Sequence, residues 1–232
     1  MTLFRIALLF IVFAHPLTAQ TIVKARFTDP TTRYPHGVLG DRVEFGGLEM
    51  TLSDGQVAKI TLPNTRVFED LAPRVVDLDH DGAPEVIVVE ADASEGAQLA
   101  IYGASGKIIG TPFIGTRFRW LAPIAAADLD GDGLTELAYI ETPHLGKTLV
   151  IWRYNAGNLE FVGRAPGLTN HRIGEDFITS ALRTCPDDIG LITADARWQK
   201  VMISRLRGGV ISMEEIGAFT GPASITGAAS CP

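Results

Sequence analysis

This chain of 232 residues lacks a basic excess, long hydrophobic runs beyond its N-terminus, extended helical periodicity and familiar catalytic signatures. Its 20 Lys+Arg against 27 Asp+Glu give a net charge of −7. That balance disfavours a nucleic-acid or anionic-membrane surface as partner. Past the first twenty residues no apolar stretch is long enough to cross a bilayer, so no membrane span is expected in the mature chain. There is no G-x-S-x-G, no H-E-x-x-H and no glycine-rich phosphate loop. No catalytic residue is therefore assigned, and the chain is not expected to be an enzyme. Cysteine is nearly absent: Cys185 and Cys231 are the only two. In an exported chain such a pair predicts one disulfide, here closing the C-terminal tail onto the segment before it.

Export is read from the opening, MTLFRIALLFIVFAHPLTAQ. Arg5 supplies the positive start, residues 6–14 form a short apolar run, and Leu17-Thr18-Ala19 resembles a cleavage site. The run is too short for an anchor, so residues 1–19 are predicted to be a signal peptide that sends the protein to the periplasm or outside the cell. Residues 20–232 then form a single domain, long enough for a sizeable core.

What the chain does contain is turns: Gly 24 and Pro 13 punctuate many short β-patterned runs. Residues 77–90 read DLDHDGAPEVIVVE and residues 128–141 read DLDGDGLTELAYIE. Leu71-Ala72-Pro73, just before the first, recurs as Leu121-Ala122-Pro123 before the second. Each repeat reads as an inner strand, an acidic loop and three further strands. A period near fifty residues with about four strands per unit is a β-propeller signature. The fold is thus expected to be all-β, a propeller-like array of about four blades. The units are placed at approximately 33–70, 71–120, 121–171 and 172–220, with a tail at 221–232. The last is a degenerate copy whose inner strand is expected at 177–182. Residues 21–27 or the tail are available to complete a blade and hide its edge.

The acidic loops dictate their own chemistry. Asp77, Asp79, Asp81 and Glu85 stand at loop positions one, three, five and nine; Asp128, Asp130, Asp132 and Glu136 repeat the pattern. Gly82 and Gly133 permit a sharp turn, and the carbonyls of Ala83 and Leu134 are the natural backbone ligands. Carboxylates this close repel one another unless a cation lies between them, and an all-oxygen set suits Ca2+. An EF-hand begins the same way but requires a bidentate Glu at position twelve and a following helix. Here position twelve is Val88 or Tyr139, and a strand pattern follows.

These residues resemble the FG-GAP or VCBS repeats of integrin-like β-propellers, over residues 71–90 and 121–141. The resemblance implies calcium-pinned blades and, more broadly, adhesion, ligand binding or an accessory role, with an unidentified protein or carbohydrate as partner. Where the family commonly closes its loop with aspartate, this chain has Glu85 and Glu136. A second reading is a hydrolase or carbohydrate-active enzyme in which His36, His144 and His171 meet Glu175 or Asp176 on one ring face. With no nucleophile motif beside them, the same residues are expected instead to cap turns and bridge blades. A third is a subunit of an extracytoplasmic assembly, its open blade completed by a partner strand. Trp120, Trp152 and Trp198 are expected to pack between blades rather than form a sugar-stacking platform.

Overall fold

Between Gly- and Asp-rich turns the β-patterned runs become seventeen strands and one helix over residues 20–231, the part that the computed structural model describes. The signal peptide read at 1–19 lies outside the described residues. The first sheet has eight strands: β1 (Ile22–Thr31), β2 (Glu44–Leu52), β3 (Val57–Thr61), β4 (Arg66–Phe68), β5 (Arg74–Val76), β6 (Glu85–Asp92), β7 (Gly96–Gly103) and β8 (Gly106–Gly110). The second has four: β9 (Leu121–Ala127), β10 (Thr135–Glu141), β11 (Thr148–Asn155) and β12 (Asn158–Pro166). The third has five: β13 (Leu168–Thr169), β14 (Ala181–Cys185), β15 (Asp188–Asp195), β16 (Lys200–Arg207) and β17 (Val210–Ala218). Helix α1 (Pro222–Ala228) follows. The fold is all-β and propeller-like.

Strand periodicity decides how the sheets stack. Successive side chains point to opposite faces, and the central strands are apolar at nearly every position, so both faces are covered. In β6, Val86 and Val88 join an apolar layer with Leu48, Met50 and Phe68 of the preceding strands. The alternate residues Ile87 and Val89 join Leu137, Tyr139 and Val150 of the second sheet. From β10, Ala138 and Ile140 face the other way, to Leu168, Leu191 and Leu206 of the third. A last layer sets Ile192, Val201 and Ile203 against Ile225 of α1. Among the described residues no apolar cluster joins the first strands to the last sheet; a loop contact does, Gly174 N donating to Val38 O at 3.0 Å.

The inner strand is continuous only in the second sheet, where β9 runs the length of β10. In the first sheet its place is shared by β4, which pairs with residues 90–92 of β6, and β5, which pairs with residues 85–87. Pairing therefore crosses the unit boundary drawn at 70/71. In the third sheet β13 and β14 divide the same task along β15. Residues 170–180 leave the sheet between them and return where Thr179 N donates to Asn170 O at 2.7 Å. The inner strand expected at 177–182 accordingly begins only at Ala181. Sequence patterning missed this because 170–180 is fastened by side chains: Asn170 Nδ2 donates to Ala122 O, and Thr169 Oγ1 to Pro143 O.

At the C-terminus the small, polar tail forms α1, begun by Pro222, a residue already suited to the first helical turn. Cys185 and Cys231 form the disulfide, their Cα atoms 5.7 Å apart. Arg183 Nε donates to Ala228 O at 2.8 Å, a second clasp between β14 and the helix end.

Candidate functional site

Each acidic loop joins the first two strands of its repeat, β5 to β6 and β9 to β10. The two backbones follow one path. Position four is left-handed in both (His80, φ 60°; Gly131, φ 83°), as is position six (Gly82, φ 86°; Gly133, φ 87°). Asp77 Oδ2 accepts from Gly82 N, and Asp128 Oδ2 from Gly133 N. The closing glutamates reach back seven residues: Glu85 Oε2 accepts from Leu78 N at 3.0 Å and Glu136 Oε2 from Leu129 N at 2.8 Å.

In the first loop, carboxylate oxygens of Asp77, Asp79 and Glu85 lie within 4.8 Å of one another. Asp81 is outside that trio and accepts from Ala83 N. Among the described residues no ion pair reaches these four carboxylates. Burial, with the nearby charges of Asp79 and Asp81, raises the Glu85 pKa above its usual range. Asp128, Asp130 and Glu136 gather in the same way in the second loop, where the surroundings differ. Cross-strand pairing sets Arg153 of β11 opposite Glu136. Its guanidinium contacts Glu136 at 2.6 Å, Asp130 at 2.7 Å and Asp132 at 3.0 Å. In the first repeat the register that pairs Val86 with Tyr102 brings Gly103 to the matching place, and glycine supplies no cation. Even with Arg153 present, Asp130 Oδ1 is buried without a hydrogen-bond partner. This orphaned oxygen and the all-carboxylate donor sets fit a hard divalent cation such as Ca2+. The carbonyls of Ala83 and Leu134 belong to the same two turns.

A second constellation lies where the inner strands are interrupted. A pocket of about 280 Å3 is lined by His36, Phe118, Arg119, Trp120, His144 and Ile173, among others. His36 Nδ1 meets Glu69 Oε1 at 2.5 Å. Glu69 is fully buried, its Oε2 has no partner, and burial beside Asp70 holds its pKa far above the usual carboxylate range. Burial, then the Arg119 charge, lowers His36 to about 4. His144 Nε2 lies 2.9 Å from His171 Nδ1, and His171 Nε2 lies 2.9 Å from the carbonyl of Glu175. His144 is lowered to about 4 by burial first and by the neighbouring histidines and Lys147 next.

The three histidines singled out in the sequence thus come together, whereas their expected acid partners do not. The Glu175 carboxylate accepts from Arg172 N, and Asp176 is exposed. The buried acid is Glu69. Its sequence clue was positional: Glu69-Asp70 precedes the first Leu-Ala-Pro mark where Arg119-Trp120 precedes the second. The tryptophans form no common platform. Trp120 is buried and donates to Glu69 O, Trp152 donates to Tyr139 Oη, and Trp198 lies under Arg172.

Residues 77–139 match the family model of the FG-GAP-like repeat. No curated protein matches the chain. Among solved structures, a chain from "Complex structure of the fission yeast SREBP-SCAP binding domains" aligns at 12% identity with a TM-score of 0.38, over 92% of this chain and 52% of that one. This chain therefore spans about half of that chain's length.

Proposed function

We propose that this FG-GAP-like repeat protein is an exported calcium-binding module whose role is structural or ligand-binding rather than catalytic. The observation that carries the reading is the first acidic loop, where the carboxylates of Asp77, Asp79 and Glu85 converge with no lysine or arginine of the described residues paired to them. Calcium bound there would neutralise the cluster and fix the turn between β5 and β6. The Cys185–Cys231 disulfide favours an oxidising destination. Among the described residues no helix is long and apolar enough to cross a membrane. A protein or carbohydrate partner follows only from the repeat's broad association with binding.

The two loops differ in this reading. The first is the stronger calcium site; in the second, Arg153 competes with the ion for Asp130, Asp132 and Glu136. Chelator-treated, oxidised protein titrated with CaCl2 and followed by calorimetry and thermal unfolding tests this. We expect a calcium-selective rise in Tm over MgCl2, corresponding to a stabilisation of about 2.7 kcal/mol per site at a free concentration a hundredfold above Kd. Asp79→Ala removes the tighter binding event, and Arg153→Ala strengthens the weaker one. A Tm indifferent to calcium, with no heat of binding, overturns the proposal.

A further inference from the structure

Seven arginines are half-buried among the described residues, and six of them engage the protein itself. Arg33 donates to the carbonyl of Arg66, Arg66 pairs with Glu90, Arg74 with Asp70 and Arg153 with Glu136, while Arg183 and Arg205 share Asp188. Arg119 is the seventh. Its side chain has no hydrogen bond, ion pair or aromatic partner among the described residues, and it lines the pocket of about 280 Å3. Its charge reaches that pocket, because after burial it is what lowers His36. Drawing a guanidinium partly out of water without a partner is unfavourable, and an anion in the pocket removes that cost.

The other lining residues restrict what the anion is attached to. None of them is an acid. Glu69, which contacts His36, is held far above the usual carboxylate range by burial, and this favours its uncharged form. Two stacked pairs contribute flat ring faces: His36 on Phe118, with centroids 5.0 Å apart, and Trp120 on His144 at 6.3 Å. At the rim stand Leu145 and Ile173, apolar yet 62% and 72% exposed. Such walls suit an apolar body, and a ring matches their flat faces. The volume, small for a ligand pocket, fits a single small molecule rather than a polymer chain. A guanidinium meets a carboxylate through two parallel N–H···O bonds. A phosphate monoester carries about two charges, which one arginine does not match. We propose that this pocket binds a small aromatic monocarboxylate, Arg119 pairing with the carboxylate and the ring lying among Phe118, Trp120, Leu145 and Ile173. The site gives the ligand-binding role above a chemical class and rests on that part of the reading, independently of the acidic loops.

Phenylacetate is the probe, titrated into calcium-saturated protein and followed by saturation-transfer NMR of the ligand. Acetate supplies the charge without the ring, and phenethylamine the ring with the opposite charge. We expect phenylacetate to bind about tenfold or more tightly than either, and to shift the nitrogen-15 resonance of Arg119 Nε, a readout that needs no variant. Arg119→Gln should weaken binding about tenfold or more, as loss of a charged hydrogen-bonded pair. Leu145→Ser combined with Ile173→Ser should weaken it several-fold through lost apolar contact. Because Arg119 holds no protein partner among the described residues, Arg119→Gln should leave Tm nearly unchanged, which separates binding from a structural role. Absence of phenylacetate binding, equal affinity for phenethylamine, or unchanged affinity in the folded Arg119→Gln protein overturns the site. Calcium binding is read separately by calorimetry, so failure of the pocket leaves the calcium reading standing.

Discussion

At the scale of single residues, charge placement separates positions that the repeat makes look equivalent. Glu85 and Glu136 close their loops with the same backbone hydrogen bond, yet the residue opposite is Gly103 in one and Arg153 in the other. In the degenerate last repeat, arginines pair with the acid that remains in the loop. Asp188 accepts from Arg205 Nε at 2.5 Å and Arg183 Nη1 at 2.8 Å, and Arg205 is shared with Glu214. These two arginines hold Asp188 down to about 2, against an ordinary value of 3.8. The sign follows from the folded state's weaker hold on the proton. The contribution is fully present above the unfolded value and is lost as pH falls through about 2. Asp188→Asn should therefore lower Tm by a constant amount between pH 5 and 7, measured by thermal unfolding. The gap should close as the wild type is titrated from about pH 4 toward 2.

At the scale of elements, the informative features are interruptions in the inner strands. β9 is continuous, but its counterparts are divided into β4 and β5, and into β13 and β14. The intervening segments carry Glu69 and His171 to the pocket. Period-two patterning marks which residues face a core; it does not report that a segment leaves the sheet and returns, because the fastening is by side chains distant in sequence. The terminal helix is a similar case. Its seven residues are too few to be stable alone, and what retains it is Ile225 on the third sheet, the Arg183 clasp and the disulfide. With the two cysteines 46 positions apart in the chain, chain-entropy reasoning gives the crosslink about 4 kcal/mol. The Cys185→Ala/Cys231→Ala protein should lose about that much in chemical denaturation, and hydrogen exchange should rise first in α1.

At the scale of the whole molecule, stacked sheets share their central strands between successive apolar layers. β6 and β10 each bury both faces, so a truncation there weakens packing that spans two sheets. Ile87 is buried in the layer joining the first and second sheets. Ile87→Ala should cost about 2–5 kcal/mol by denaturant titration, in keeping with cavity formation in a close-packed interior. The exposed face of the first sheet carries instead the Arg26–Glu49 and Lys59–Glu49 pairs. The last apolar layer is covered by α1, and a loop contact, Gly174 N to Val38 O, links the two ends of the array.

The amino-acid sequence by itself determined the repeat, the all-β class, the position of each acidic loop and the cysteine pair, because these depend on local spacing, turn chemistry and two-residue periodicity. It marked His36, His144 and His171 as candidates through their residue type. Only the tertiary structure decided that Glu69 rather than Glu175 or Asp176 joins them, that Arg153 fills one loop while Gly103 leaves the other free, and that the tail folds back as a helix. Each of those outcomes rests on strand register or on contacts between residues far apart in the chain, where the burial of a charge, not its spacing, selects the partner.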